Sequence, residues 1–201
     1  VHEFASESRL ILGLRYENHQ VDFSSLTLDN SDLDFDGSPD LLPGGVSHQS
    51  DDLWGGKIPL EQDLSHNQSV FASITRGYKS GGANSGAFRR ATDPATYESE
   101  KIWNYELGLR SRWLDGTIDS QITLFYLDRE NAQLRDSVGS GGFFRFFTSN
   151  AGSASHYGLE TEAKWYLADN WTLSGSLGLL EAESQDLSRD LSNAPSFKYN
   201  S

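Results

Sequence analysis

An all-β chain of about eight long antiparallel strands is what the sequence predicts, and three observations predict it. Apolar and polar residues alternate with period two in segment after segment, while helical spacing never persists over three turns. Glycine makes up 19 of the 201 residues and aromatics 12%, both raised relative to ordinary globular chains, in which Gly is about 7%. Tight turns alternate strictly with long polar loops. The alternating segments run to roughly ten residues, where strands of soluble proteins average five or six.

The elements follow in order. The first strand carries Leu10, Leu12, Leu14 and Tyr16 on one side, with Arg15 and Glu17 on the other. A long polar loop from Ser24 to Val46 follows. The second strand sets Trp54, Gly56, Ile58 and Leu60 against Lys57, Pro59 and Glu61, and the third repeats the pattern with Val70, Ala72, Ile74 and Tyr78, after a short turn around Ser65-His66-Asn67. Ser80 to Glu98, rich in Gly, Ser and Arg, reads as a second loop.

The fourth strand, about Ser99 to Trp113, places Trp103, Tyr105, Leu107, Leu109 and Trp113 on one face and Asn104, Glu106, Gly108, Arg110 and Arg112 on the other. The fifth answers it with Ile118, Ile122, Leu124 and Tyr126. Between them stands Asp115-Gly116, a dipeptide suited to the positive φ angles of a type I′ hairpin turn. With Leu114 opposite Thr117, that turn sets Leu109 against Ile122, Leu107 against Leu124 and Tyr105 against Tyr126. A slip of one residue puts charges among them, so turn chemistry and pattern agree on the register.

A third loop, Glu130 to about Gly142, precedes a short aromatic run, Phe143 to Thr148. Tyr157 to Leu167 then alternates with Glu160, Glu162 and Lys164, turns at Asp169-Asn170, and returns through Trp171, Leu173, Leu177 and Leu179. A last loop, Glu183 to Asn193, leads to Phe197 and Tyr199, read as the start of a ninth strand.

Composition excludes several classes. No run approaches the roughly 18 apolar residues of a membrane-crossing helix, so a membrane role must use strands. Cysteine and methionine are absent, which removes disulfides, thiolate nucleophiles and cysteine-held zinc. Val1 and the lack of a basic-then-apolar leader predict a piece of a longer protein. A net charge of -13, with Arg89-Arg90 as the adjacent basic pair, argues against nucleic acid. The five histidines are scattered, and neither a Gly-x-Ser-x-Gly nor a phosphate-loop motif occurs, so the protein is read as no enzyme and no cofactor is implied.

Strand length, one-sided alternation and the turn-and-loop rhythm together point to an antiparallel transmembrane β-barrel, with short periplasmic turns and long extracellular loops. Trp113, Trp165 and Trp171 stand by the tight turns, and Tyr78, Trp103, Tyr105, Tyr126 and Tyr157 toward the loops, as two interfacial girdles. Arg76 shares parity with Ile74 and Tyr78 and so faces lipid unless a bulge intervenes or it snorkels at the interface. The competing readings are a soluble β-sheet module that presents loops to carbohydrate, and a passive porin.

Several segments resemble one family. Leu12-Gly13-Leu14-Arg15-Tyr16-Glu17, Phe71 through Asn84 (FASITRGYKSGGAN), Asn104 through Ser111 (NYELGLRS), Leu124 through Asp128 (LFYLD), Asn150-Ala151-Gly152 with Tyr157-Gly158-Leu159-Glu160, and Asn193-Ala194-Pro195 are similar, in order and spacing, to strands of TonB-dependent outer-membrane receptors. Ala83 stands where the family pattern has Phe. The resemblance implies a Gram-negative outer-membrane location and capture of a ferric siderophore or another scarce nutrient outside the cell. It also implies import through plug rearrangement driven by the TonB complex, with outer-membrane lipid as the other partner. The family's plug, TonB box and terminal aromatic strand are not found in the sequence, and eight strands compare with about 22 in such transporters. Residues 1–201 are therefore expected to be an internal part of the barrel domain.

Two sets of candidate site residues emerge. Arg89, Arg90 and Tyr97 in one outer loop, with Arg145 among the phenylalanines of another, can grip an anionic aromatic chelate through charge-assisted bonds and stacking, or serve as ordinary loop surface. Asp32, Asp34 and Asp36 with Gly37 match the opening of a calcium loop, yet position twelve is Pro43 instead of a bidentate Glu. A hydrated acidic loop and a cation site both fit them. Glu106, Arg110, Arg112, Glu160, Glu162 and Lys164 are expected to line the lumen.

Overall fold

The computed structural model describes residues 2–5, 8–24, 45–84, 94–140 and 143–185. Its elements are β1 (His2–Ala5), β2 (Ser8–Leu10), β3 (Gly13–Ser24), β4 (Val46–Ser65), β5 (Gln68–Lys79), β6 (Gly82–Ala83), β7 (Thr96–Tyr97), β8 (Glu100–Trp113), β9 (Ile118–Ser140), β10 (Phe143–Ala168) and β11 (Trp171–Gln185). One antiparallel sheet runs in the order β1-β2-β4-β5-β8-β9-β10-β11, with β3 also on β4, and β6 and β7 form a separate two-stranded ladder.

β2 and β3 hold the same register on β4, with Leu10 opposite Leu60 and Gly13 opposite Lys57. The break between them has a chemical cause. Ile11 donates its N–H to the Pro59 carbonyl at 3.1 Å, and Pro59 has no N–H to return. Counted as one strand interrupted by a proline partner, they leave eight strands across the sheet of described residues. β1 was not legible as a strand in the sequence.

Cross-strand registers assemble the alternating residues into continuous rows. Leu10, Leu60, Ala72, Leu107, Leu124, Leu159 and Leu179 stand directly opposite one another from β2 to β11. One row toward the loops come Ile58, Ile74, Tyr105, Tyr126 and Tyr157. Toward the tight turns, Trp113, Ile118, Trp165 and Leu173 close the band. Leu107 is 53% exposed and Leu124 51%, so no second sheet covers this face. The buried hydrophobic residues among those described are Leu53 and Ala132, far too few for the core of a soluble sandwich. A face of this kind takes lipid as its solvent. Ten residues separate Trp103 from Trp113, about 33 Å along the strand at ~3.3 Å per residue. At a tilt near 40° that spans about 25 Å of membrane, the height of an outer-membrane apolar band.

The opposite, polar face lines the lumen. Here phenylalanine rings lie over glycines on the neighbouring strand: Phe71 faces Gly108 and Phe125 faces Gly158. A Cβ on Gly108 would come within 2.2 Å of Phe71 Cζ, and one on Gly158 within 2.9 Å of Phe125 Cζ. Each ring fills the space that the glycine leaves, which keeps the wall smooth.

The hairpin register is the expected one: Leu107 opposite Leu124, Leu109 opposite Ile122, Tyr105 opposite Tyr126. Asp115 (φ 53°, ψ 35°) and Gly116 (φ 89°) have the dihedrals of a type I′ turn, closed by Thr117 N–H to Leu114 O at 3.1 Å. Leu114 itself sits at φ 49°, so the ladder ends one pair early, at Trp113 and Ile118. The other tight turns fall at His66-Asn67 and Asp169-Asn170.

Three expectations need correction. The expected loop from Glu130 to about Gly142 is strand over its described residues: β9 and β10 stay paired up to Ser140 and Phe143. The aromatic run at 143–148 is the start of β10, not a separate strand. Above the membrane neither face of this hairpin meets lipid, so period-two alternation vanishes although the ladder continues. The arm rises 14 residues past the Tyr126–Tyr157 pair, on the order of 45 Å along the strand. Tyr78 does not join the outer girdle. Its ring packs where a Cβ of Gly55 would stand, and its hydroxyl donates to Glu17 Oε2 at 3.0 Å, on the polar face. The loop interiors at 25–44 and 186–193 and the ninth strand at Phe197 and Tyr199 lie outside the described residues.

Candidate functional site at the outer mouth of the lumen

The site begins with Glu100, the first residue of β8 and 1% exposed. Parity places it on the polar face, beyond the Trp103 row and so above the apolar band. Its Oε1 accepts from Arg129 Nε at 2.7 Å and its Oε2 from the Gln133 backbone N–H at 2.8 Å. Burial alone pushes the carboxyl up. The Arg129 bond, the Gln133 amide and the charges of Arg129 and Lys79 outweigh it and hold the pKa below the usual glutamate value. The Glu100 bond in turn raises Arg129 above its ordinary value, against the cost of burial.

From this anchor, side chains of the β9–β10 arm reach across to both ends of the loop that joins β5 to β8. Gln133 Nε2 donates to the carbonyls of Ser80 (2.8 Å) and Glu98 (3.0 Å). Asn150 accepts from the Glu98 N–H at 2.7 Å and donates to the carbonyls of Glu98 and Asn131, each at 3.0 Å. Asn84 accepts from the Thr148 N–H at 2.7 Å and donates to the carbonyls of Thr148 (2.7 Å) and Pro94 (3.0 Å). Amide side chains suit this work, because each offers a donor pair and an acceptor to strands that share no ladder. The ladder between Gly82–Ala83 and Thr96–Tyr97 closes the loop on itself. Both ends of the β5–β8 loop are thus tied to the arm above the apolar band.

Below the mouth the wall is lined with paired charges. Arg110 Nη1 lies 3.2 Å from Glu61 Oε1, and its guanidinium sits 4.2 Å over the Phe71 ring. Arg9 pairs with Glu61 (3.1 Å) and Asp63 (3.2 Å), and Arg112 with Asp119 (3.2 Å). Ser73 Oγ and Asn104 Nδ2 both donate to Glu106, at 2.7 and 2.9 Å. Such a wall can hold polar or charged material in a wet channel.

Of the expected ligand residues, the structure describes the Tyr97 side chain: its ring packs on Gly82, with the hydroxyl within 2.5 Å of where a Cβ would stand. Arg145 lies in β10 opposite Val138, near the tip of the arm. Arg89, Arg90, Asp32, Asp34 and Asp36 lie outside the described residues. Among those described, no three His, Asp or Glu side chains converge on a metal-sized site. Sequence reasoning did not single out Asn84, Glu98, Glu100, Arg129, Gln133 and Asn150 as a cluster. Asn84 and Asn150 stood in family-like segments, but their partners are 64 and 52 residues away.

Residues 3–201 match the family model for the TonB dependent receptor-like β-barrel. The pesticin receptor of Yersinia enterocolitica is 34% identical over 145 residues, covering 72% of this chain and 20% of that protein. Among solved structures, the ferric yersiniabactin uptake receptor FyuA of Yersinia pestis superposes with a TM-score of 0.67 at 24% identity, over 90% of this chain and 25% of the other. The alcaligin outer-membrane receptor FauA of Bordetella pertussis gives 0.58 at 20% identity, over 91% and 28%. The chain spans about a fifth of the length of the curated relatives named pesticin receptor. Apolar band, polar wall, clamped loop and family match agree: the chain belongs to the TonB-dependent receptor β-barrel family of the Gram-negative outer membrane.

Proposed function

We propose that residues 1–201 are part of the barrel wall and outer mouth of an active importer whose cargo is a ferric siderophore or a similarly scarce nutrient. The observation that carries this reading is the combination of a lipid-facing row from Leu10 to Leu179 with a charged inner wall beneath a clamped loop. Solved neighbours named for ferric yersiniabactin uptake and for alcaligin support the cargo class. The family consists of receptors and transporters, and the chain is read as having no catalytic role. Its partners are outer-membrane lipid, the ferric chelate, and the TonB complex acting through a plug elsewhere in the receptor.

In this reading Arg89, Arg90, Tyr97 and Arg145 contact the anionic cargo from the loops, and Asp32, Asp34 and Asp36 are a hydrated acidic loop or a calcium site. Uptake of labelled ferric siderophore by cells carrying the full-length receptor, with and without TonB, tests the assignment. Uptake is expected to require TonB; uptake that persists unchanged without it would point to a passive porin. Replacing Arg89 and Arg90 together with Ala is expected to weaken binding by about 1–3 kcal/mol while barrel assembly is unchanged.

A further inference from the structure

We propose that Arg76 and Lys101, framed by Trp54 and Trp103 on the lipid-facing surface, bind the phosphate group of an outer-leaflet lipid. The proposal rests on the outer-membrane orientation given above. Arg76 stands on the apolar face opposite Gly56 on β4 and Trp103 on β8. Its row lies immediately beyond the one that holds Ile74, Tyr105 and Tyr126, at the level where lipid headgroups begin. The guanidinium lies 3.7 Å from the centroid of Trp54 and 5.8 Å from that of Trp103, and Nη1 donates to the Trp54 carbonyl. The two indoles meet edge to face, with centroids 6.3 Å apart.

This arrangement holds a partly exposed cation against two indole rings, with one hydrogen bond, to the Trp54 carbonyl, among the described residues. Among the described residues no carboxylate pairs with Arg76. A planar, weakly hydrated guanidinium is the side chain best suited to a phosphate. Lys101 supplies the second charge. It is two residues from Trp103 on β8, so it stands diagonally across from Arg76, a spacing of about 7–8 Å between the positions that two long side chains can close on one anion. Among the described residues its ion pair is a loose one, 3.9 Å to Glu130.

Among the described residues the other charges at this level of the outer face are acidic. Asp52 is occupied by Tyr16 and Asn18, while Asp128 stands opposite Trp103 and Glu130 opposite Lys101. A dissolved anion is repelled by that belt. A lipid phosphate is confined to the same interfacial layer as the two cations, and this local concentration favours it over free phosphate.

The test uses the full-length receptor in detergent micelles, with lipid A and its dephosphorylated form as probes and native mass spectrometry to count retained lipid. The wild type should retain phosphorylated lipid A, with occupancy lowered about tenfold in Arg76→Gln and partly restored in Arg76→Lys, the weight of one charge-assisted contact. Lys101→Gln should lower it less. Dephosphorylated lipid should be held equally poorly by all, and millimolar inorganic phosphate should not compete. Equal retention by wild type and Arg76→Gln, or retention indifferent to the lipid's phosphates, overturns the proposal, as does displacement by inorganic phosphate. Should Arg76→Gln fail to assemble, unchanged occupancy in Lys101→Gln overturns the two-cation site. Membrane fractionation checks the orientation separately: a receptor found in the outer membrane whose variants bind lipid alike sinks this site and leaves the importer reading intact.

Discussion

Glu100 shows what a single charge contributes at the mouth. It is buried against Arg129, which is 27% exposed, and it accepts the amide of Gln133, whose side chain ties down both ends of the β5–β8 loop. Breaking a fully buried ion pair costs about 3–5 kcal/mol; because Arg129 keeps some water, Glu100→Gln is expected to cost about 2–3 kcal/mol locally. The protection of the Gln133 amide against hydrogen exchange reads this directly, and equal protection in the variant would show the pair to be idle. The pH dependence has a definite sign. The native carboxyl titrates below its unfolded value of about 4.3, so the stabilisation is complete above that pH and is lost as pH falls through the native value. Wild-type protection, corrected for intrinsic exchange, should therefore be flat from neutrality to about pH 5 and decline below about pH 4.

At the scale of elements, the β8–β9 hairpin sets local turn preference against side-chain strain. Asp115 and Gly116 adopt left-handed angles readily, whereas Leu114, 68% exposed at φ 49°, does so at a cost. The left-handed region costs an ordinary residue about 1–2 kcal/mol, and the added chain entropy of glycine recovers only about 0.5–1 kcal/mol of that. Leu114→Gly should therefore stabilise the hairpin by about 0.5–1 kcal/mol, seen as a higher denaturant midpoint for the barrel in detergent; a lower midpoint would mean that Leu114 makes a membrane contact worth more than its strain. The β9–β10 arm teaches a different lesson. Its upper part has no alternating pattern because neither face meets lipid, yet it is the element that carries Gln133, Asn150 and Thr148 to the loop.

The whole sheet has an uncovered apolar face and, among the described strands, open edges: β11 pairs only with β10, and β3 only with β4. Lipid covers the face, and if residues 1–201 are one part of a larger barrel, as proposed above, further strands cover the edges. The 201 residues alone are accordingly expected to aggregate in plain buffer and to need detergent. A monodisperse monomer that melts cooperatively without detergent would contradict both the fold reading and the proposal that residues 1–201 are one part of a larger barrel.

By itself the sequence determined the strands within the membrane, their two faces, the tight turns at His66-Asn67, Asp115-Gly116 and Asp169-Asn170, and the Leu107–Leu124 register. Those features follow from period-two patterning and turn chemistry, which are local and are enforced by contact with lipid. Tertiary structure alone decided the break at Ile11, because it depends on Pro59 standing opposite. It decided the inward turn of Tyr78, which needs the space left by Gly55, and the caging of Arg76, which needs tryptophans from two other strands. The clamp on the loop belongs with these. Gln133 and Ser80 are 53 residues apart, and no pattern within either segment encodes the other, so only the pairing of whole strands brings donor to acceptor.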